Sequence, residues 1–393
     1  MSGLIPSVTM SILLQISVAC LSVILAEVWR DIYHLAGHYW KPLQPWHNLH
    51  HRLFTPDLEV TDWELYHRSE LLNDVPEAVF MVGMSLLCAS LALSYHLTGA
   101  WVGVGYGGIF LCTSLARSQG KLLSTDLTHT PGEFTAPPSS WLVNRTYHWR
   151  HHFDNGKAYF SGTISLMDKL LGTALSLKGK TVAVTGASGT MGQALIKELT
   201  RQGAQVIPLT TQPAGGVQWQ LGAEAEHKQL LKSVDILILN HGVNVYGARD
   251  PAAIAHSYEV NAYSVWRWME LFFSTVETNR ERALKEVWVN TSEAEVSPAF
   301  SPLYELSKRW IGDIITLRRL DAPCIVRKIV LGPFKSLLNP YGVMSASWVA
   351  WAIVALAKRD CRDIIVTINP FTYIFFPLKE LSRSLYFRLF TKR

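Results

Sequence analysis

Charge is scarce in this 393-residue sequence: Asp, Glu, Lys and Arg make up 17% of it, against about 25% in an ordinary soluble domain. With a mean hydropathy of +0.14, that scarcity excludes disorder and places part of the chain in lipid. A basic stripe is also missing. The net charge of +5 is shared among long uncharged runs and 14 Trp, which fits an anionic membrane face and gives no footing for nucleic acid. No C-x-x-C pair occurs among Cys20, Cys88, Cys112, Cys324 and Cys361, and three of these fall in apolar runs. That excludes a disulfide framework and implies a reducing compartment. Repeats and low-complexity tracts are absent as well. What remains is 49% hydrophobic and long enough for two domains of about 100 to 200 residues each.

Two stretches carry no Asp, Glu, Lys or Arg, namely 2–26 and 78–116. The first is long enough for one helical span, and the second is about twice a single span of ~20 residues. A Thr-Gly pair at Thr98-Gly99 breaks the second and makes it a helical hairpin. The predicted spans are therefore about 5–27, 77–97 and 99–117. A cleaved leader is disfavoured, because no Lys or Arg precedes the first run and no A-x-A site follows it. A hairpin returns the chain to the side it left, so the segments around it share one face. Arg30, Lys41, Arg52, Arg68, Arg117 and Lys121 lie in those flanks, which predicts a cytoplasmic face there and an outside N-terminus.

Nine of the fourteen histidines lie in or beside the same flanks: His34 and His38, then His47, His50 and His51, then His129, then His148, His151 and His152. On a helix, residues i, i+3 and i+4 share a face, so each cluster should aim two or three imidazoles at one point. Imidazole suits iron or zinc, and so many ligands exceed the needs of one four-coordinate zinc. Two metal ions are implied, and a dinuclear iron centre is the natural expectation. His129 stands alone and is the least secure ligand. His67 and His96 carry no spacing signal and read as ordinary structural histidines.

The boxes His34-x-x-x-His38, His47-x-x-His50-His51, a lone middle His129 and His148-x-x-His151-His152 resemble those of the membrane fatty acid hydroxylase and sterol desaturase superfamily. The stretch from Tyr159-Phe-Ser-Gly-Thr163 to Asp168-Lys-Leu-Leu-Gly172-Thr173 is similar to that family's sequence after the last box. The resemblance covers residues 1–175. It implies a di-iron, O2-dependent centre that hydroxylates or desaturates a lipid C–H bond, on a fatty acyl, sterol or carotenoid substrate. No heme-binding cytochrome motif is visible, so electrons would come from an external donor such as ferredoxin. The family's middle region is represented only by His129, which leaves the ligand count open by one or two.

Near Leu177 the pattern changes to short aliphatic runs alternating with helical stretches, the signature of a parallel sheet with helices on both faces. The strands are expected at 181–185, 205–209, 234–239, 286–290, 324–330 and 363–368. After the first, Gly186-Ala-Ser188-Gly189-Thr-Met-Gly192 is a glycine turn leading into a helix near Met191, an arrangement that lets backbone and helix N-terminus meet a pyrophosphate. Asn240 follows the strand at 234–239, with His241 read as a substituted turn residue. Tyr304-Glu-Leu-Ser-Lys308 sets an ammonium beside a phenol on one helix face, which eases proton transfer to or from an alcohol or carbonyl.

With Asn261 and Ser292, these residues resemble the Asn, Ser, Tyr and Lys set of the short-chain dehydrogenase/reductase family over residues 178–370. That family implies NADP or NAD as cofactor and a homodimer built on helices beside the active site. The G-x-x-G-x-x-G spacing is closer to its atypical branches. The interval from Ser292 to Tyr304 is about one residue short, leaving Thr291 as a substitute hydroxyl. Leu209-Thr210-Thr211 lacks the carboxylate that would bind a ribose 2′-hydroxyl, which favours NADP. Residues 371–393, aromatic with interspersed Lys and Arg, read as an interfacial amphipathic tail or a helix packed on the dehydrogenase domain.

The expected fold is thus an α-helical membrane domain of the histidine-box di-iron type followed by an α/β Rossmann-fold, doubly wound parallel sheet close to the membrane face that carries the histidines. The whole order is similar to bifunctional sterol desaturase/short-chain dehydrogenase proteins of cyanobacteria. The function implied is lipid oxidation at di-iron coupled to NAD(P)-dependent alcohol or carbonyl chemistry. Wax or aldehyde chemistry and an NADP-sensing regulator without turnover are the alternatives.

Overall fold

A computed structural model describes residues 4–212 and 215–392, and divides the chain into two units, 1–134 with 139–174 and 135–138 with 175–393. In the first unit, three helices are long and apolar enough to cross a membrane: Ser11–Tyr39, Trp63–Leu93 and Thr98–Arg117. The first helix runs well past the expected end at residue 27. Glu27, Arg30 and Asp31 are buried in it, and its last two turns carry His34 and His38. The hairpin turns at Ser94–Leu97, where His96 adopts φ +58°, slightly earlier than expected. Small residues let the helices close: a Cβ on Gly99 would lie 2.2 Å from the Gln15 carbonyl oxygen, and one on Gly103 would lie 2.6 Å from that of Ser22. Gln15 satisfies the turn, accepting from the Gly99 N–H at 2.8 Å and donating to the His96 carbonyl at 2.8 Å.

Two short helices, Gln44–His51 and Arg145–Phe153, carry the remaining histidine boxes. The second starts where the Asn144 side chain accepts the Tyr147 N–H at 2.9 Å.

The second unit is a seven-stranded parallel sheet in the order β3-β2-β1-β4-β5-β6-β7. Its strands are β1 (Thr181–Thr185), β2 (Gln205–Thr210), β3 (Val217–Gln218), β4 (Ile236–Leu239), β5 (Glu286–Ser292), β6 (Ile325–Leu331) and β7 (Asp363–Val366). The sequence pattern missed β3, which is two exposed residues with no apolar run to announce them. β4, β5 and β6 are buried on both faces throughout, which explains their apolar runs, while the edge strand β7 buries one face. β1 pairs with β2 on one side and β4 on the other, from Val182 opposite Ile236 to Val184 opposite Ile238. The order reverses there, and the crevice beyond the strand ends at that point is where such sheets take a dinucleotide.

The tail is not a separate segment. The helix Thr372–Phe390 packs on the second unit through Phe376, which is fully buried, and through Glu380, which pairs with the buried Lys328 of β6. Its outer face, including Ile374, Leu378 and Leu381, stays exposed.

Candidate functional site

All nine box histidines come together in the first unit, in two groups: His34, His38, His47, His51 and His151, and His50, His129, His148 and His152. Within each group the ring nitrogens lie within 4.8 Å of one another. One expectation is corrected here. A cluster does not aim at a single point, because His50 and His51, and likewise His151 and His152, are adjacent in sequence and enter different groups. Successive helical residues point about 100° apart, so an adjacent pair must diverge. His67 and His96 lie outside both groups, and His67 Nδ1 instead faces the Arg117 carbonyl at 2.9 Å.

The inward atoms are Nε2. His34 and His38 lie 2.9 and 3.1 Å from His151, and His38 and His51 lie 2.7 and 3.0 Å from His47. In the second group the Nε2 atoms of His129, His148 and His152 form a triangle with each edge 3.1 Å. Such converging lone pairs cannot all be satisfied by shared protons, whereas a cation satisfies them together. A triangle of that edge is the face of an octahedron with bonds of about 2.2 Å, while a tetrahedron would need about 1.9 Å, shorter than the ~2.0–2.1 Å of zinc–imidazole bonds. Each group could therefore hold a metal ion.

The outward Nδ1 atoms meet a shell that the sequence did not announce. His129 faces Asp126 at 2.7 Å, His47 faces Asn73 at 3.3 Å and His151 faces the Ala158 carbonyl at 2.8 Å. Glu77 and Asp74 lie 3.7 and 3.9 Å from His34 and His50. Asn73 and Asp74 sit in a π-helical turn, Glu70–Asp74, which turns side chains off the regular helix face. The surrounding network joins the carboxylates Glu27, Asp31, Glu70, Asp74, Glu77 and Asp126 to two guanidiniums, Arg30 and Arg117. Carboxylates at the edge of an apolar span were the available signal in the sequence.

Burial and the neighbouring imidazoles hold the rings neutral. Burial pushes His47 down to about 4 and His151 to about 3, and holds His50, His51, His148 and His152 below their usual value. Neutral imidazoles are ready ligands at physiological pH.

The second unit carries the other constellation at the C-terminal edge of its sheet. Gly186 takes φ +61°, and a Cβ there would lie 2.9 Å from the His241 Cα. A Cβ on Gly192 would lie 2.2 Å from the Gly186 carbonyl oxygen, so only glycine lets the helix Thr190–Arg201 start against the turn. Ser188 and Gly189 lie exposed at its N-terminus, open to a phosphate. Asn240 accepts from the Asn290 amide at 2.6 Å, and the His241 Nδ1 lies 2.8 Å from the Thr185 hydroxyl, so His241 is a member of neither histidine group.

Ser292, at the end of β5, lies close enough to Tyr304 to favour its ionised phenol. Thr291, the alternative hydroxyl, points to the opposite face of β5 and donates to the Ile329 carbonyl at 3.2 Å. Strand alternation therefore assigns the position to Ser292 despite the short interval. Lys308 Nζ lies 5.7 Å from the Tyr304 ring centre and donates to the Asn290 carbonyl at 3.1 Å. Burial pushes its ammonium down to about 8 and raises the Tyr304 phenol, an effect that Ser292 opposes.

Asn261 lies in a second π-helical turn, Glu259–Tyr263. Its amide accepts from the Val243 N–H at 2.8 Å and donates to the Val243 carbonyl at 2.9 Å and the Ser307 hydroxyl at 3.2 Å. It thus ties the loop after β4 to the helix that carries Tyr304 and Lys308, a positioning role that the spacing alone did not reveal.

No protein-family profile matches the sequence. The monoglucosyldiacylglycerol epimerase of Synechocystis sp. (strain ATCC 27184 / PCC 6803 / Kazusa), a cyanobacterium, is 52% identical over 407 residues, covering 98% of this chain and 99% of that protein. Among solved structures, a short-chain dehydrogenase from Burkholderia cenocepacia J2315 in complex with NADP is 21% identical, covering 55% of this chain and all of that one, with a TM-score of 0.45. A 3-oxoacyl (acyl-carrier-protein) reductase from Agrobacterium tumefaciens C58 with NADP bound is 19% identical over 52% of this chain and 97% of that one, with a TM-score of 0.43. The full-length relative is thus an epimerase, where the order of domains had suggested a sterol desaturase fused to a dehydrogenase. The chain belongs to the family of the monoglucosyldiacylglycerol epimerase.

Proposed function

We propose that this protein is a membrane-anchored, NAD(P)-dependent epimerase that inverts one hydroxyl-bearing carbon in the sugar headgroup of a glucosyl glycerolipid. The observation that carries this reading is Tyr304 beside the buried Lys308, 5.7 Å from its ring centre, in a chain 52% identical to an epimerase of such a lipid. The glycine turn Gly186–Gly192 and Asn240 would hold NADP or NAD at the β1/β4 reversal. Bound there, the dinucleotide would supply the reversible hydride acceptor, taking up and giving back the same two electrons, so the net reaction would be redox-neutral.

The chain's own residues supply the proton steps. Tyr304 as phenolate accepts the hydroxyl proton as the C–H bond breaks, and gives it back when the ketone is reduced. Ser292 orients the substrate oxygen and Tyr304. Lys308, charged below about pH 8, stabilises the phenolate. Asn261 holds the loop and helix together around them. The sugar must turn over between the two transfers, because Tyr304 is fixed on one side.

In the first unit the nine histidines would hold two iron ions at the cytoplasmic ends of the spans. Bound iron of this kind supplies O2-dependent oxidation of a C–H bond, with electrons from an external donor such as ferredoxin. That chemistry is the second reading, hydroxylation or desaturation of the lipid, and it is favoured by the convergence of the nine rings.

One experiment separates the two. Lipids from a host expressing wild type, Tyr304→Phe or His148→Ala are compared by chromatography, mass spectrometry and sugar NMR. An epimeric glycolipid of unchanged mass that falls about 10²- to 10⁴-fold in Tyr304→Phe is the expected result. A lipid that has gained oxygen or lost hydrogen, and that disappears only in His148→Ala, would make oxidation the activity instead.

A further inference from the structure

The C-terminal edge of the sheet, where Tyr304 and the glycine turn lie, is fringed with exposed apolar side chains. Phe300, four residues before Tyr304, is 95% exposed, and Leu337 and Tyr341 in the loop between β6 and the helix Ala346–Lys358 are 88% and 92% exposed. Tyr246 after β4 and Phe371 after β7 continue the fringe. Large apolar groups presented so fully to solvent cost free energy unless something covers them.

The backbone holds two of them in place at a cost. Tyr246 and Phe300 have φ of +53° and +54°, a left-handed conformation that a bulky residue adopts only under constraint. The constraint is visible: the Ser301 hydroxyl donates to Asn244 Oδ1 at 2.7 Å and to the Tyr246 carbonyl at 3.1 Å, tying the loops after β4 and β5 together. On the other side, Thr367 donates to Glu293 at 2.6 Å and the Asn369 amide donates to Ser297 at 3.4 Å, tying the segment after β7 to the end of β5. The Gly332 N–H donates to the Val366 carbonyl at 2.9 Å, bringing in the start of the loop after β6. The tips thus form one continuous rim.

The C-terminal helix leaves from this rim. Lys379 pairs inward with Glu295 and Asp313, Arg383 lies 3.5 Å from Asp313, and the single carboxylate, Glu380, is buried against Lys328, while Arg388 is exposed near the helix end. Its outward face is apolar and aromatic. An apolar and aromatic face with the exposed Arg388 near its end matches a leaflet that offers acyl chains below anionic phosphates.

We propose that this rim and the outer face of the C-terminal helix dock on the lipid bilayer that the chain's own spans cross, so that a glycolipid headgroup reaches Tyr304 while its acyl chains stay in the membrane. The purpose of the docking rests on the lipid-substrate reading above. The docking itself does not need that reading to be observed.

The test uses the full chain reconstituted in vesicles of phosphatidylglycerol and phosphatidylcholine, with benzoylphenylalanine replacing Phe300, Tyr341 or Lys232. Lys232 is an exposed residue before β4, at the opposite edge of the sheet. After irradiation, lipid adducts are counted by mass spectrometry. Adducts at Phe300 and Tyr341 about tenfold above those at Lys232 are expected of tips that enter the acyl region. Equal yields at the three positions, or links to a second protein chain in place of lipid, would overturn the proposal. Adducts at both tips without epimerised product would sink the epimerase reading and leave the docking standing. Epimerised product without tip adducts would do the reverse.

Discussion

Asp126→Asn removes a single charge from the outer shell of the histidine centre while keeping its size. Asp126 Oδ1 lies 2.7 Å from His129 Nδ1, and Oδ2 accepts the Tyr66 hydroxyl at 2.9 Å. The carboxylate fixes which His129 nitrogen carries the proton and turns Nε2 inward, toward His148 and His152. Removing such a partner weakens metal binding about 10- to 100-fold, equivalent to about 1.4 to 2.7 kcal/mol. Only the group containing His129 should feel it, because the other five histidines do not contact Asp126. The assay is iron content of purified protein followed by release into a chelator. Wild type should hold two irons per chain and the variant should lose one of them 10- to 100-fold sooner, while Tyr66→Phe, which removes the other bond, leaves release unchanged. Equal acceleration of both irons, or none, would refute the reasoning that the shell acts through His129.

Other outcomes follow from the second unit. In the free enzyme, kcat/KM should fall as pH rises through about 8, where Lys308 loses the charge that steadies the Tyr304 phenolate. Burial depresses that ammonium, so the charge is present below this pH and lost above it; Lys308→Arg should move the alkaline limb up by more than about two units, and a limb that stays put would assign it to another group. Lys328→Met leaves Glu380 and Glu295 buried with less compensation, and should cost about 3 to 5 kcal/mol, seen as a lower unfolding midpoint of the second unit. Adding Glu380→Leu should restore a large part of it. A double variant no more stable than the single would show that the C-terminal helix is held by packing around Phe376 alone.

Much of the fold was legible because its signals are local. Charge-free runs mark the three helices long and apolar enough to cross a membrane, since an unpaired charge in hydrocarbon is costly over any part of a helix. Aliphatic runs mark β1, β2 and β4 to β7, since a parallel strand is buried on one or both faces. β3 escaped because two exposed residues leave no pattern. The C-terminal helix was left between two readings, because Phe376 and Glu380 bury one narrow face while the rest stays apolar and exposed.

For the candidate sites, the sequence marked out the side chains that the fold brings together. The spacing of the nine histidines, the glycines at 186, 189 and 192, and Tyr304 with Lys308 are consequences of helix and turn geometry, and need no knowledge of distant residues. Tertiary structure decided how they are shared out. His34 and His151 meet across 117 residues, and the split of His50 from His51 depends on where the neighbouring helices stand. The outer shell of Asn73, Asp74 and Glu77, the choice of Ser292 over Thr291, and the role of Asn261 were likewise set by packing. Each depends on which way a side chain faces after distant segments come together, and a periodicity fixes only its direction relative to its own helix or strand.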